Sequence, residues 1–180
     1  MILAGLDYSM SSPAVVLYDT ETAIHTFHSY TTAKKLNWHH PFYGYPHKKW
    51  KTNEERFDQI SDWALSIVAG CSHVFMEGYA YGAKGLVFNI GENGGILKHK
   101  LFKAGIPFTI FAPSAVKKHA TTKGNANKQM MELAFTKATG YDIKKELNQR
   151  DKDENPSSDI ADAYWILELG RTSLEESDLI

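Results

Sequence analysis

Residues 2–18 read Ile-Leu-Ala-Gly-Leu-Asp-Tyr-Ser-Met-Ser-Ser-Pro-Ala-Val-Val-Leu-Tyr. Two short apolar runs, Ile2–Asp7 and 14–18, flank the polar turn Ser9-Met10-Ser11-Ser12-Pro13, the pattern of two strands joined tightly. Residues 24–30, rich in Thr, Phe and Tyr, continue as a third strand. A meander of this kind followed by alternating helices and strands predicts a mixed sheet covered on both faces. The rest of the chain decides whether that alternation exists.

It does. Thr52-Asn53-Glu54-Glu55 has capping-box spacing and opens a helix whose apolar face is Phe57, Ile60, Ala64, Ile67 and Val68. His73–Glu77 is a compact fourth strand. A long helix over 84–104 follows, with Val87, Ile90, Gly94, Leu97, Leu101 and Ala104 at spacings of three and four. Gly91, Gly94 and Gly95 weaken it by about 1 kcal/mol each but permit close approach of a packed partner. Residues 107–111 form the fifth strand, 114–119 a short helix, and 125–138 a longer one with Met131, Ala134 and Ala138 inward. The last helix starts at Asn155-Pro156-Ser157-Ser158 and ends near Gly170. The expectation is one α/β domain over 1–180 with a mixed five-stranded sheet. Residues 31–51, centred on His39-His40-Pro41-Phe42-Tyr43-Gly44-Tyr45-Pro46, are expected to be an irregular functional loop.

Composition narrows the function classes. A chain of 180 residues, 43% hydrophobic and 23% charged, buries a real core as one domain. No apolar stretch approaches the roughly 20 residues needed to span a bilayer. Asp7 interrupts the apolar start too early for a signal peptide, and the single Cys71 points to a buried structural thiol in a reducing cytoplasm. A net charge of -1 argues against a protein that coats nucleic acid. The charges are segregated, however. Acids are absent between Glu21 and Glu54, where Lys48, Lys49 and Lys51 gather, and between Glu92 and Glu132, where Lys98, Lys117, Lys118, Lys123 and Lys128 lie. Such blocks make a phosphate-binding face on a near-neutral protein, or simply a solvated one. No phosphate-loop motif and no Cys/His set for structural zinc occurs, and His39, His40 and His47 are a weak metal candidate.

Four acids stand out by placement. Asp7 and Glu77 each end an otherwise apolar strand, where an acid is a poor local choice. If those strands are parallel neighbours, both carboxylates meet at one sheet edge, where open α/β sheets bind ligands. Asp159 and Asp162 lie three apart and share one helical face. Together the four would repel one another unless Mg²⁺ or Mn²⁺ stood between them, and two such ions suit in-line phosphodiester hydrolysis. Taken singly, Asp159 also fits helix capping, Asp7 a turn, and Glu77 a surface ion pair.

Taken in order, Gly5-Leu6-Asp7-Tyr8-Ser9, Val74-Phe75-Met76-Glu77, Pro113-Ser114-Ala115-Val116-Lys117-Lys118, Lys123-Gly124-Asn125-Ala126-Asn127-Lys128 and Ser158-Asp159-Ile160-Ala161-Asp162-Ala163 give a further signal. Over nearly its whole length the chain resembles the RuvC-type Holliday junction resolvases, in the divergent form found in phages. The resemblance implies an RNase H-like fold and a homodimeric, Mg²⁺- or Mn²⁺-dependent, structure-selective endonuclease acting on four-way junctions and other branched DNA. It places Asp7, Glu77, Asp159 and Asp162 on the metal-binding positions and Lys117 and Lys128 near the scissile phosphate, with Lys118 and Lys123 as neighbours. It offers Tyr79 and Tyr81 as base-stacking aromatics, although neither aligns cleanly, and 84–104 as the dimer-forming helix. Segment 31–51 departs from the bacterial pattern in length and aromatic content. The rival readings are an RNase H-like nuclease acting on RNA–DNA hybrids and a non-catalytic junction-binding module.

Overall fold

A computed structural model describes residues 1–32, 36–79 and 87–177. Strands β1 (Ile2–Asp7), β2 (Ala14–Asp19) and β3 (Ile24–Thr31) form the antiparallel meander expected from their alternation. They are followed by β4 (Phe42–Pro46), α1 (Asn53–Val68), β5 (His73–Glu77), α2 (Val87–Lys103), β6 (Phe108–Phe111), α3 (Pro113–Thr121), α4 (Lys128–Thr139), α5 (Ile143–Glu146) and α6 (Ser157–Ser177). The sheet order is β4-β3-β2-β1-β5-β6, with β5 parallel to both β1 and β6.

The sheet has six strands rather than five, and the additional one comes from the segment expected to be irregular. β4 pairs in parallel with β3, so it lies at the sheet edge. Phe42, fully buried, stacks on Phe27 at 4.6 Å between ring centroids. Burying such a side chain contributes about 2–3 kcal/mol. Its local signal is hidden because Gly44 and Pro46 are strand-averse residues. Pro46 is tolerated at an edge, and the side chains of Leu36 and Trp38 sit over Gly44 where a Cβ would intrude. The Trp38 indole N–H donates to the Leu147 carbonyl at 3.0 Å, fastening this segment to the far layer.

Two cores sandwich the sheet. On one face Leu3, Phe27, Phe75, Phe135, Ile160 and Leu167 pack between the strands and α3, α4 and α6. On the other, Leu6, Val15, Val74, Ile60 and Leu97 pack beneath α1 and α2. Cys71 joins the second core, and burial pushes its thiol up to about 11, in keeping with a structural role. Two expected helix faces and one expected helix end need adjustment. Phe135, not Ala134 or Ala138, is the buried partner of Met131 in α4. Val87 and Ile90 of α2 are exposed, and that helix buries Asn93, Gly94, Leu97 and Leu101 instead. The last helix passes through Gly170, where the Phe75 ring occupies the space a side chain would need.

The N-cap of α1 is as expected, with Thr52 Oγ1 accepting from the Glu55 N–H at 3.3 Å. No helix among the described residues is long and apolar enough to cross a membrane.

Candidate active site

Parallel register brings the first two acids together. Leu3, Ala4, Gly5 and Leu6 of β1 stand opposite His73, Val74, Phe75 and Met76 of β5, so the next pair in register is Asp7 and Glu77. Alternation puts both on the face occupied by Leu3 and Phe75, beneath α6.

Gly5 determines where α6 lies. A Cβ at Gly5 would collide with the Ala163 carbonyl and the Leu167 side chain, so only glycine allows the helix to rest directly on β1. From that contact Asp7 lies two residues along the strand and Asp159 one turn back along the helix, about 6 Å in each case. Asp159 is consequently held over Asp7, and Asp162 shares its helical face. Asp159 is buried and accepts a hydrogen bond from the Ser12 hydroxyl, reaching across from the β1–β2 turn. Sequence reading treated Ser12 as a turn residue only. Its local pattern carried no sign of this role.

The electrostatics record the crowding. Burial first, then Asp159, Asp162 and Glu77, raise Asp7 well above the carboxylate range, and its carboxyl hydrogen-bonds Asp159. Burial pushes Asp159 up to about 6 against the opposing effects of Ser12, Lys128 and Asp7. Burial, Glu77 and Asp159 push Asp162 up to about 7, while Lys117 and Lys128 oppose them. Glu77 is raised by burial, with Lys117 pulling it back. Like charges in low dielectric retain protons in this way.

Among the described residues, no group of three or more His, Cys, Asp or Glu side chains is set to hold a metal ion as it stands. Asp7 and Asp159 bond one another and Ser12 takes an Asp159 oxygen, so these groups do not open toward a common point. The donor chemistry nevertheless suits a hard divalent cation: carboxylate oxygens only, desolvated, with mutual repulsion that positive charge would relieve. Asp7, Glu77, Asp159 and Asp162 are the residues that could hold it.

The lysines divide. Lys117 acts on Glu77 and Asp162, and Lys128 on Asp159 and Asp162. Lys128 also pairs with the exposed Glu154 at 3.0 Å. Lys118 and Lys123 are exposed, with no ion pair among the described residues. Tyr79 is exposed and lies across Gly94, with Lys98 over its ring at 4.8 Å from the centroid. Tyr81 falls outside the described residues.

This arrangement of strands and helices recurs in solved structures. The chain is similar to Thermus thermophilus RuvC, at 18% identity and a TM-score of 0.62 over 98% of this chain and 97% of that one. A structure of T. thermophilus RuvC in complex with a Holliday junction substrate matches at 17% identity and a TM-score of 0.63, over 98% and 96%. The chain has a RuvC-type resolvase fold. That fold is a form of the RNase H-like sheet with helices on both faces, here carrying β4 as an edge strand. The complex of fowlpox virus resolvase with substrate Holliday junction DNA matches more loosely, at 14% identity and a TM-score of 0.52, over 97% and 99%. No protein-family model matches the chain, and no curated protein matches it in sequence.

Proposed function

We propose that this protein is a divalent-metal-dependent endonuclease that cuts branched DNA, four-way junctions foremost, as a homodimer. The observation that carries the reading is the meeting of Asp7, Glu77, Asp159 and Asp162 at the carboxyl ends of β1 and β5, flanked by Lys117 and Lys128. An acid cluster that holds its own protons near neutral pH is costly to build and is stabilised by bound cations. The RuvC-type fold, known with a Holliday junction bound in the Thermus protein, supports the substrate class.

Mg²⁺ or Mn²⁺, held by these four carboxylates, would lower the pKa of an attacking water and offset charge on the departing 3′ oxygen. The chain's own contribution is positional. Lys117 and Lys128 would hold the scissile phosphate against the acids and offset the charge that develops on its non-bridging oxygens. Ser12 fixes the orientation of Asp159, and Gly5 fixes the height of α6 over β1. Water attacks phosphorus and the bond from phosphorus to the 3′ oxygen breaks, leaving a 5′-phosphate and a 3′-hydroxyl.

A second copy would pack along α2. Phe88 and Phe102 are 84% and 74% exposed there, and open space lies beside Gly91 and Gly95. Large exposed aromatics on one helix mark an association surface.

Cleavage of a labelled four-way junction, a linear duplex and an RNA–DNA hybrid, in Mg²⁺ and in EDTA, tests the reading. Junction nicking that needs Mg²⁺ and disappears in Asp7→Asn is expected. Nicking that persists in EDTA refutes the metal mechanism, and preference for the hybrid refutes the junction.

A further inference from the structure

Residues 47–51 have no regular secondary structure, yet their main chain is fastened at nearly every position. The His47 N–H donates to the Thr31 carbonyl at 3.1 Å and the Lys48 N–H to the Tyr30 hydroxyl at 3.1 Å. The Lys49 carbonyl accepts from Gln59 Nε2 at 3.3 Å, and the Lys51 N–H donates to Glu55 Oε2 at 2.7 Å. The His47 ring stacks on Tyr30, 4.2 Å between centroids, and the Arg56 guanidinium caps Trp50 at 4.8 Å. Rigidity of this kind is unusual for a surface connection.

What the fastened segment displays is charge. Lys48, Lys49 and Lys51 are all exposed and form no ion pair among the described residues. Two acids follow in sequence, Glu54 and Glu55, and Glu55 has its carboxylate turned onto the Lys51 main chain. The segment is also tied to the candidate active site. Arg56 donates through Nε and Nη2 to the Met10 carbonyl, at 3.1 and 2.5 Å. Met10 belongs to the same turn as Ser12, which holds Asp159.

We propose that Lys48, Lys49 and Lys51 form a preorganised cationic surface that grips the phosphate backbone of a duplex DNA arm beside the acid cluster. This rests on the nuclease reading for its substrate, but not on metal binding or cutting. Three cations within about 10 Å of extended chain meet a duplex carrying a charge about every 1.7 Å of its axis. Immobilising the backbone in advance lowers the ordering cost of each contact. An acidic protein partner fits less well. Protein interfaces anchor on buried aromatics, and the aromatic here, Trp50, is already half-buried beneath Arg56.

The test is salt-dependent binding of an uncleaved four-way junction in EDTA, comparing wild type with K48Q/K49Q/K51Q. A second variant, K137Q/K145Q/K152Q, removes the same net charge from exposed positions on and beyond α4, across the sheet. Each lost phosphate contact lowers the slope of log affinity against log salt by about 0.9, so K48Q/K49Q/K51Q should lose about 2.7. Wild type should then lose about 40-fold more affinity than this variant between about 50 and 200 mM salt. K137Q/K145Q/K152Q should keep the wild-type slope. If the triple variant does not fold, K49Q alone should lower the slope by about 0.9. Equal slopes for wild type and the Lys48 to Lys51 variant, or equal losses in both triple variants, overturn the proposal. Wild type that binds with the expected slope difference but never cuts refutes the nuclease reading and leaves this one standing.

Discussion

Asp162→Asn should make the metal-free protein more stable while removing its activity. Burial, Glu77 and Asp159 together push the Asp162 carboxyl up to about 7. No hydrogen bond from the protein rewards its ionised form among the described residues. At 1.36 kcal/mol per pH unit, holding that group ionised near pH 8 costs up to about 4 kcal/mol. Relaxation and water entry at its half-buried rim reduce this to about 2 kcal/mol. Because the folded protein holds the proton more tightly than the unfolded chain, the penalty is absent below the ordinary carboxylate range. It then grows as pH rises and is complete above about 7. Wild type in EDTA should lose stability between about pH 4 and pH 7, and the variant should lose distinctly less. A domain of this size gains about 2–4 °C per kcal/mol, so thermal melting at about pH 8 should show the variant about 4–8 °C higher. Saturating Mg²⁺ should stabilise wild type and close the gap. A variant that melts below wild type at about pH 8 in EDTA, or with the same pH gradient, refutes the assignment of repulsion to this site.

Ser12→Ala removes a donor that holds Asp159 down, so the Asp159 carboxyl should rise above about 6; a weaker apparent Mg²⁺ affinity in cleavage assays, with the pH profile moved upward, is the expected result. Gly5→Ala forces a Cβ into the Ala163 carbonyl and should cost about 1–3 kcal/mol in urea unfolding, with cleavage reduced because α6 is lifted off Asp7. Phe88→Asp places a charge on the exposed face of α2 and should convert a dimer to a monomer by light scattering, without lowering the melting temperature of the monomer. Lys100 bridges Asp58 at 2.7 Å and Asp62 at 2.6 Å, yet those partners are exposed, so Lys100→Ala should cost no more than about 1 kcal/mol by denaturant titration.

Much of the architecture was legible because its signals are local. Apolar alternation marks β1, β2 and β5, a capping box marks α1, and an acid at the end of an apolar run is visible because it violates the pattern around it. Two such violations, which meet if their strands are parallel neighbours, with Asp159 and Asp162 on one turn, nominate the site from the sequence. What the chain could not disclose locally depends on partners distant in sequence. β4 is a strand only because β3 and Phe27 accept it, since Gly44 and Pro46 argue against one in isolation. Gly170 lies inside a helix as a residue whose missing side chain makes room for the Phe75 ring, and Ser12 matters only because α6 carries Asp159 to it. Local pattern depends on the chain's own neighbours; these contacts join residues far apart in sequence, where periodicity carries no record. The four carboxylates were thus determined by the sequence. Their convergence, and the glycine that permits it, were decided by the tertiary structure.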